Sequence, residues 1–249
     1  MISELISLKL LIVFRSDLGR ELLRGGASLA STPVEIVDAD SAATAESMLA
    51  QGGIELVLIG TALPAADKTA VSKAARAAKE KPFVVMVGTD DINTDADAVV
   101  AKPATVEEAK SVVDRCIRAR MPSRVLVVDD SATMRGIVRK ILSASKFPLE
   151  VAEADEGLKA LQELRAGSFD IVFLDCNMPG LNGFETLSQL KQEHPHIAVV
   201  MITSTEDATF AGRAKAAGAA AFLKKPFFPA DIDAVLYRFY RLDPPRRAA

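Results

Sequence analysis

Three aspartates stand where apolar runs end. Residues 125–128, Val-Leu-Val-Val, lead into Asp129 and Asp130, and residues 171–174, Ile-Val-Phe-Leu, lead into Asp175. Thr203 follows the apolar run 198–202, and Lys225 comes just after the run 220–223. Carboxylates brought together repel: a pair about 4 Å apart costs roughly 4 kcal/mol at an effective dielectric of 20. They need a cation. All-oxygen ligation with few carboxylates suits Mg²⁺, which keeps waters and often recruits phosphate oxygens. A lysine and a hydroxyl across the site suit an anion arriving on Asp175. An aspartate can attack phosphorus and form an acyl phosphate. Metal and lysine would then neutralise charge on the transferring group.

These side chains meet only if the runs that carry them lie side by side. The second half alternates short apolar strands (124–128, 149–152, 171–174, 198–202, 220–223) with helical patterns (to about 143, then 156–166, from about 184, 208–217 and 230–240). Continuous apolar runs mark strands buried on both faces, so the alternation predicts a parallel sheet with helices on both sides. In such a sheet ligands bind outside the carboxyl ends of the strands. Asp129, Asp130, Asp175, Thr203 and Lys225 are therefore expected at one rim.

The chain also repeats itself. Residues 56–64, LVLIGTALP, align with residues 171–179, IVFLDCNMP, and residues 99–104, VVAKPA, with residues 222–227, FLKKPF. Two copies of one α/β fold follow: residues 1–121 and 122–249, both flavodoxin-like doubly wound (βα)5 domains. The break is placed at Met121-Pro122-Ser123, since proline is poorly tolerated inside a continuing helix. In the first copy only residues 88–97, GTDDINTDAD, separate the fourth and fifth strands. The segment is polar and helix-poor, so the first copy is expected to lack its fourth helix or to keep one turn of it.

Composition bounds the function. The chain has 249 residues, a net charge of −3 and 49% hydrophobic residues. No basic stripe points to nucleic acid. The apolar opening stretch, broken by Lys9, is too short to span a bilayer. Two cysteines, Cys116 and Cys176, fit a reduced, cytoplasmic setting, and two histidines leave no room for a Cys/His metal site.

The second copy resembles the receiver domain of bacterial two-component response regulators, including the stand-alone chemotaxis type. VLVVDDSATMR, FLDCNMPGLNGFE, VVMITS and AFLKKPF match its motifs in order over the whole copy. The resemblance implies that Asp175 accepts a phosphoryl group from a histidine kinase or a histidine phosphotransfer protein. It implies that Asp130, Asp175 and the Asn177 backbone carbonyl hold Mg²⁺, with Asp129 acting through a metal-bound water. Lys225 would contact the phosphoryl group, and Thr203 and Phe222 would form the switch, Phe222 standing where tyrosine is common. The first copy looks like a degenerate receiver. Phe14 and Arg15 replace the acid pair, Gly60 the phosphoacceptor and Gly88 the switch threonine, leaving Lys102-Pro103.

Plainer readings compete. Acids at strand ends also cap helices, Thr203 could cap the next helix, and Lys102 reads as a solvated loop lysine. An aspartyl phosphatase would want an acid at position 177, which is asparagine, and a nucleotide-binding module would want a glycine-rich loop after the first strand. A phosphorylation-independent scaffold of two receiver folds is the alternative function. Little chain follows Tyr240, so the expected output is a protein contact rather than catalysis or DNA binding. It would be made by the face of the fourth helix, fifth strand and fifth helix of the second copy; dimer formation is left open.

Overall fold

The computed structural model of the protein describes residues 8–88, 95–207 and 209–245. The chain forms two compact units, residues 1–121 with 240–249, and residues 122–239. The first runs β1 (Leu8–Val13), α1 (Asp17–Ser28), β2 (Val34–Ala39), α2 (Ala42–Gln51), β3 (Leu56–Gly60), α3 (Ala65–Ala77), β4 (Phe83–Val87), β5 (Ala98–Val100) and α4 (Val106–Arg120). The second runs β6 (Ser123–Val128), α5 (Ala132–Ser143), β7 (Leu149–Ala154), α6 (Gly157–Ala166), β8 (Ile171–Asp175), α7 (Gly183–Glu193), β9 (Ala198–Thr203), α8 (Phe210–Ala216), β10 (Ala221–Lys224) and α9 (Pro229–Tyr240).

Each unit has a five-stranded parallel sheet, ordered β2-β1-β3-β4-β5 in the first and β10-β9-β8-β6-β7 in the second. Both are the flavodoxin-like order expected from the strand–helix alternation. The central strands β3, β4 and β8 are buried at every position, which is why they read as unbroken apolar runs. Helix starts carry their own chemistry. Ser41, Thr105 and Ser131 accept backbone N–H bonds at the N-caps of α2, α4 and α5, and Asn182 and Glu185 form a capping box on α7. Among the described residues no helix is long and apolar enough to cross a membrane.

Two helix starts differ by more than one residue from the sequence reading. Helix α3 begins at Ala65 rather than Lys68, because Pro64 sits in the N-cap position with its φ already set and Asp67 lies in the first turn. Helix α8 begins at Phe210, after Asp207 has taken the Thr209 N–H and hydroxyl into a local turn. Ala208, the expected start, lies outside the described residues. So do residues 89–94, on which the missing fourth helix of the first copy was expected; Gly88 and Asp95–Asp97 beside them are not helical.

In the first unit, Phe14 occupies the rim where acids stand in the second. It is 6% exposed, and its ring lies so close to Gly60 that a Cβ there would meet Cδ1 and Cε1 at 2.8 Å. A Cβ on Gly19 would meet the same ring at 2.9 Å. At Gly88, φ is +127° and a Cβ would lie 2.0 Å from the Thr61 Oγ1. Gly60 and Gly88 are thus required by what surrounds them. Lys102 is exposed, as a loop lysine would be.

Residues after α9 return to this unit. Val99 of the edge strand β5 donates to the Asp243 carbonyl at 2.8 Å and accepts from the Asp243 N–H at 3.0 Å. Arg115 donates to the Arg241 carbonyl at 2.7 Å, and Leu242 is buried. The sequence reading assigned residues 122–249 to the second copy and had no account of this bridge.

Candidate functional site

The register of the second sheet builds the site. Val128 pairs with Leu174, Asp175 with Ile202, and Lys224 with Thr203. Asp129, Asp175, Thr203 and Lys225 therefore reach the same sheet end. Asp129 and Asp175 are 1% and 4% exposed, yet both are ionisable. The Lys225 ammonium lies between them, 2.7 Å from Asp175 Oδ1 and 3.0 Å from Asp129 Oδ2. The remaining carboxylate oxygens accept backbone donors: Ser131 N–H on Asp129 Oδ1 at 2.9 Å and Asn177 N–H on Asp175 Oδ2 at 2.9 Å.

One ammonium serving two carboxylates explains the titration directions. Burial pushes the Asp175 carboxyl above its ordinary value; the hydrogen bond and charge of Lys225 oppose this without cancelling it, and the Asp129 charge adds to the rise. Burial opposes the Lys225 charge, but the hydrogen bonds to Asp175 and Asp129 outweigh it and hold its pKa above the ordinary lysine value. Next to Asp175, burial and the Asp175 charge push the Cys176 thiol up to about 12, the behaviour of an inert buried cysteine.

The other candidates are placed less tightly. Asp130 is exposed at the same strand end. Thr203 is buried, and its Oγ1 accepts the Thr205 N–H at 3.0 Å. Asn177 Nδ2 lies 3.5 Å from Ser204 Oγ. Phe222 is 45% exposed on β10, its ring 6.0 Å from that of Phe210 and edge-on. Sequence reading missed Arg135, which donates to the Asp129 carbonyl at 2.8 Å and pairs with Glu153 at 3.1 Å. The first unit carried the clue: Arg20 donates to the Phe14 carbonyl and pairs with Asp38, three residues at one constant interval from Arg135, Asp129 and Glu153.

The donor set fits Mg²⁺ in kind. Carboxylates of Asp129, Asp130 and Asp175 and a nearby backbone carbonyl supply oxygen alone. Among the described residues no three acidic, cysteine or histidine side chains form a ready-made metal cluster. A cation that keeps most of its waters does not need one.

Comparison with known proteins follows the same line. The response regulator receiver domain model matches residues 125–237. Chemotaxis protein CheY-3 of Vibrio cholerae serotype O1 is 37% identical over 119 residues, covering 47% of this chain and 91% of CheY-3. Chemotaxis protein CheY of Pseudomonas aeruginosa is 36% identical over 106 residues, 42% of this chain and 85% of that protein. A solved structure described as a probable two-component system response regulator/GGDEF domain protein covers 94% of this chain and 98% of its own at a TM-score of 0.58 and 24% identity, a likeness of fold across both units. By its matched motifs, its strand order and these relatives, the chain belongs to the response regulator receiver family.

Proposed function

We propose that Asp175 is the phosphoacceptor of a two-component signalling protein, charged by a histidine kinase or a histidine phosphotransfer protein. The observation that carries this reading is the Lys225 ammonium shared by Asp175 and Asp129 at 2.7 and 3.0 Å. A fixed positive charge beside Asp175 supports it, since the oxygens of an arriving phosphoryl group would need one there. Asp130, Asp175 and the Asn177 carbonyl would hold Mg²⁺, with Asp129 acting through a water. The metal would supply charge neutralisation of the phosphoryl oxygens.

The residues of the chain then have separate tasks. An Asp175 oxygen attacks phosphorus as the bond from phosphorus to the donor's histidine nitrogen breaks and the imidazole leaves with the electron pair; Lys225 turns from its carboxylates toward the new group, and Thr203 donates its hydroxyl to it. The Thr203 oxygen already accepts the Thr205 N–H, so its movement disturbs the β9–α8 segment. Exposed Phe222 turns inward, and the face of α8, β10 and α9 changes its protein contacts. A shift from mostly off to mostly on needs roughly 5 kcal/mol of differential stabilisation. Phe14 fills the corresponding rim of the first unit, which supports reading that unit as a silent partner.

Intact mass after incubation with acetyl phosphate and Mg²⁺ tests this. One metal-dependent phosphoryl adduct, absent in Asp175→Ala, is expected. An adduct that survives in the variant, or none where a known receiver is labelled, rejects the assignment and leaves the two folds as a phosphorylation-independent scaffold.

A further inference from the structure

Beside the acceptor lies a cleft of about 350 Å³. Asn177, Asn182 and Phe184 line it from the β8–α7 segment, and Thr205, Asp207 and Arg213 from the β9–α8 segment. The proposed transfer assigns this cleft no task. An in-line displacement, however, puts the leaving group on the far side of phosphorus from the attacking carboxylate. Lys225 takes Asp175 Oδ1 and the Asn177 N–H takes Oδ2. The cleft opens next to them, bordered also by Cys176 and Thr203.

Arg213 is the cation of this cleft. Its guanidinium carbon lies 4.9 Å over the Phe184 ring, and its Nη1 is 3.4 Å from Asp207 Oδ2. Asp207 is itself fixed by the Thr209 N–H and hydroxyl at 2.8 and 2.7 Å. A guanidinium carries five N–H donors, and among the described residues one long side-chain bond to Asp207 draws on them.

We propose that this cleft receives the departing carboxylate of a small acyl-phosphate donor, and that Arg213 is the residue that selects for it. The inference rests on Asp175 being the phosphoacceptor. An Asp175 oxygen bonds to phosphorus, the bond from phosphorus to the acyl oxygen breaks, and that oxygen leaves with the electron pair as a carboxylate. No proton is required. Arg213 and the amides of Asn177 and Asn182 can bond to the anion as its charge develops. The volume leaves ample room for an acetate-sized group. A neutral imidazole leaving group would gain no charge pairing from the guanidinium, which already covers one face of the Phe184 ring.

The test compares initial phosphorylation rates, by intact mass with Mg²⁺, for acetyl phosphate, phosphoramidate and phosphoimidazole. The proteins are the unaltered chain, Arg213→Gln, Arg213→Lys and Lys224→Gln; the last removes an exposed charge outside the cleft. Arg213→Gln is expected to slow acetyl phosphate by about fivefold to tenfold while the other donors change by less than about twofold. Arg213→Lys should retain most of the acetyl phosphate rate, and Lys224→Gln should leave the donor ratio unchanged. Equal slowing with all donors, an equal effect from Lys224→Gln, or no effect at all overturns the selection by Arg213 while leaving Asp175 as acceptor. Failure of the unaltered chain to take a phosphoryl group from any donor removes the acceptor assignment and this inference with it.

Discussion

Lys225→Met isolates the balance of charge at the rim. The substitution keeps an unbranched side chain of similar length and removes the ammonium that lies 2.7 Å from Asp175 and 3.0 Å from Asp129. Two carboxylates, 5% and 2% exposed in their side chains, would then face each other without a counter-charge. Removing one partner of a buried ion pair costs about 3–5 kcal/mol. Lys225 is 22% exposed, so water screens part of this, and about 2–4 kcal/mol is expected. Urea unfolding in EDTA at pH 7 measures it. Saturating Mg²⁺ should return most of the loss, because a divalent cation neutralises the same acids. The variant should also bind Mg²⁺ more tightly than the parent, having lost a competing cation. Acid should help it too. Without Lys225 the Asp175 carboxyl is raised further above its unfolded value, so the stability it lends is present at low pH and lost as pH rises through the folded pKa. Moving from pH 7 to 5 in EDTA should therefore narrow the gap to the parent. A loss under about 0.5 kcal/mol in EDTA, or no response to Mg²⁺, would refute the argument that Lys225 neutralises this pair.

Gly60→Ala would drive a methyl into the Phe14 ring at 2.8 Å and should cost the first unit about 1–3 kcal/mol in calorimetry. Adding Phe14→Leu should recover part of that. Iodoacetamide at pH 8 should leave Cys116 and Cys176 unmodified in the folded protein, since burial pushes both thiols up to about 12; alkylation before unfolding, read by mass, would contradict this. Asp243→Pro removes the N–H that Val99 accepts at 3.0 Å and should speed hydrogen exchange at β5 with a loss of about 1 kcal/mol.

The strand order and the rim were legible because parallel central strands are apolar throughout and end abruptly in polar residues. Asp129, Asp175, Thr203 and Lys225 could be placed from that alone. Which aspartate would be buried could not: Asp129 and Asp130 are neighbours of one type, and only the turn into α5, with Ser131 on Asp129, separates them. Arg135 shows in the sequence only through the interval that relates it and Glu153 to Arg20 and Asp38, and Arg213 not at all, since its partner Phe184 is ordinary in type. The delayed start of α8 reflects local side-chain bonds that helix periodicity does not register. The segment from Tyr240 to Asp243 has no strand pattern of its own and is ordered by an edge made of residues 98–100.

That edge gives the chain a nested order. The first unit is completed by residues that follow the second, so the second is, in effect, a domain inserted into the first. During synthesis β5 emerges long before Asp243 can pair with it. For that interval its outer N–H and C=O groups stay open to other strands. A version of the first unit cut at residue 121 would keep that open edge permanently. It should self-associate more readily than the same unit with residues 240–245 restored on a short linker. Sedimentation of the two forms at equal concentration would show whether the nesting protects the edge.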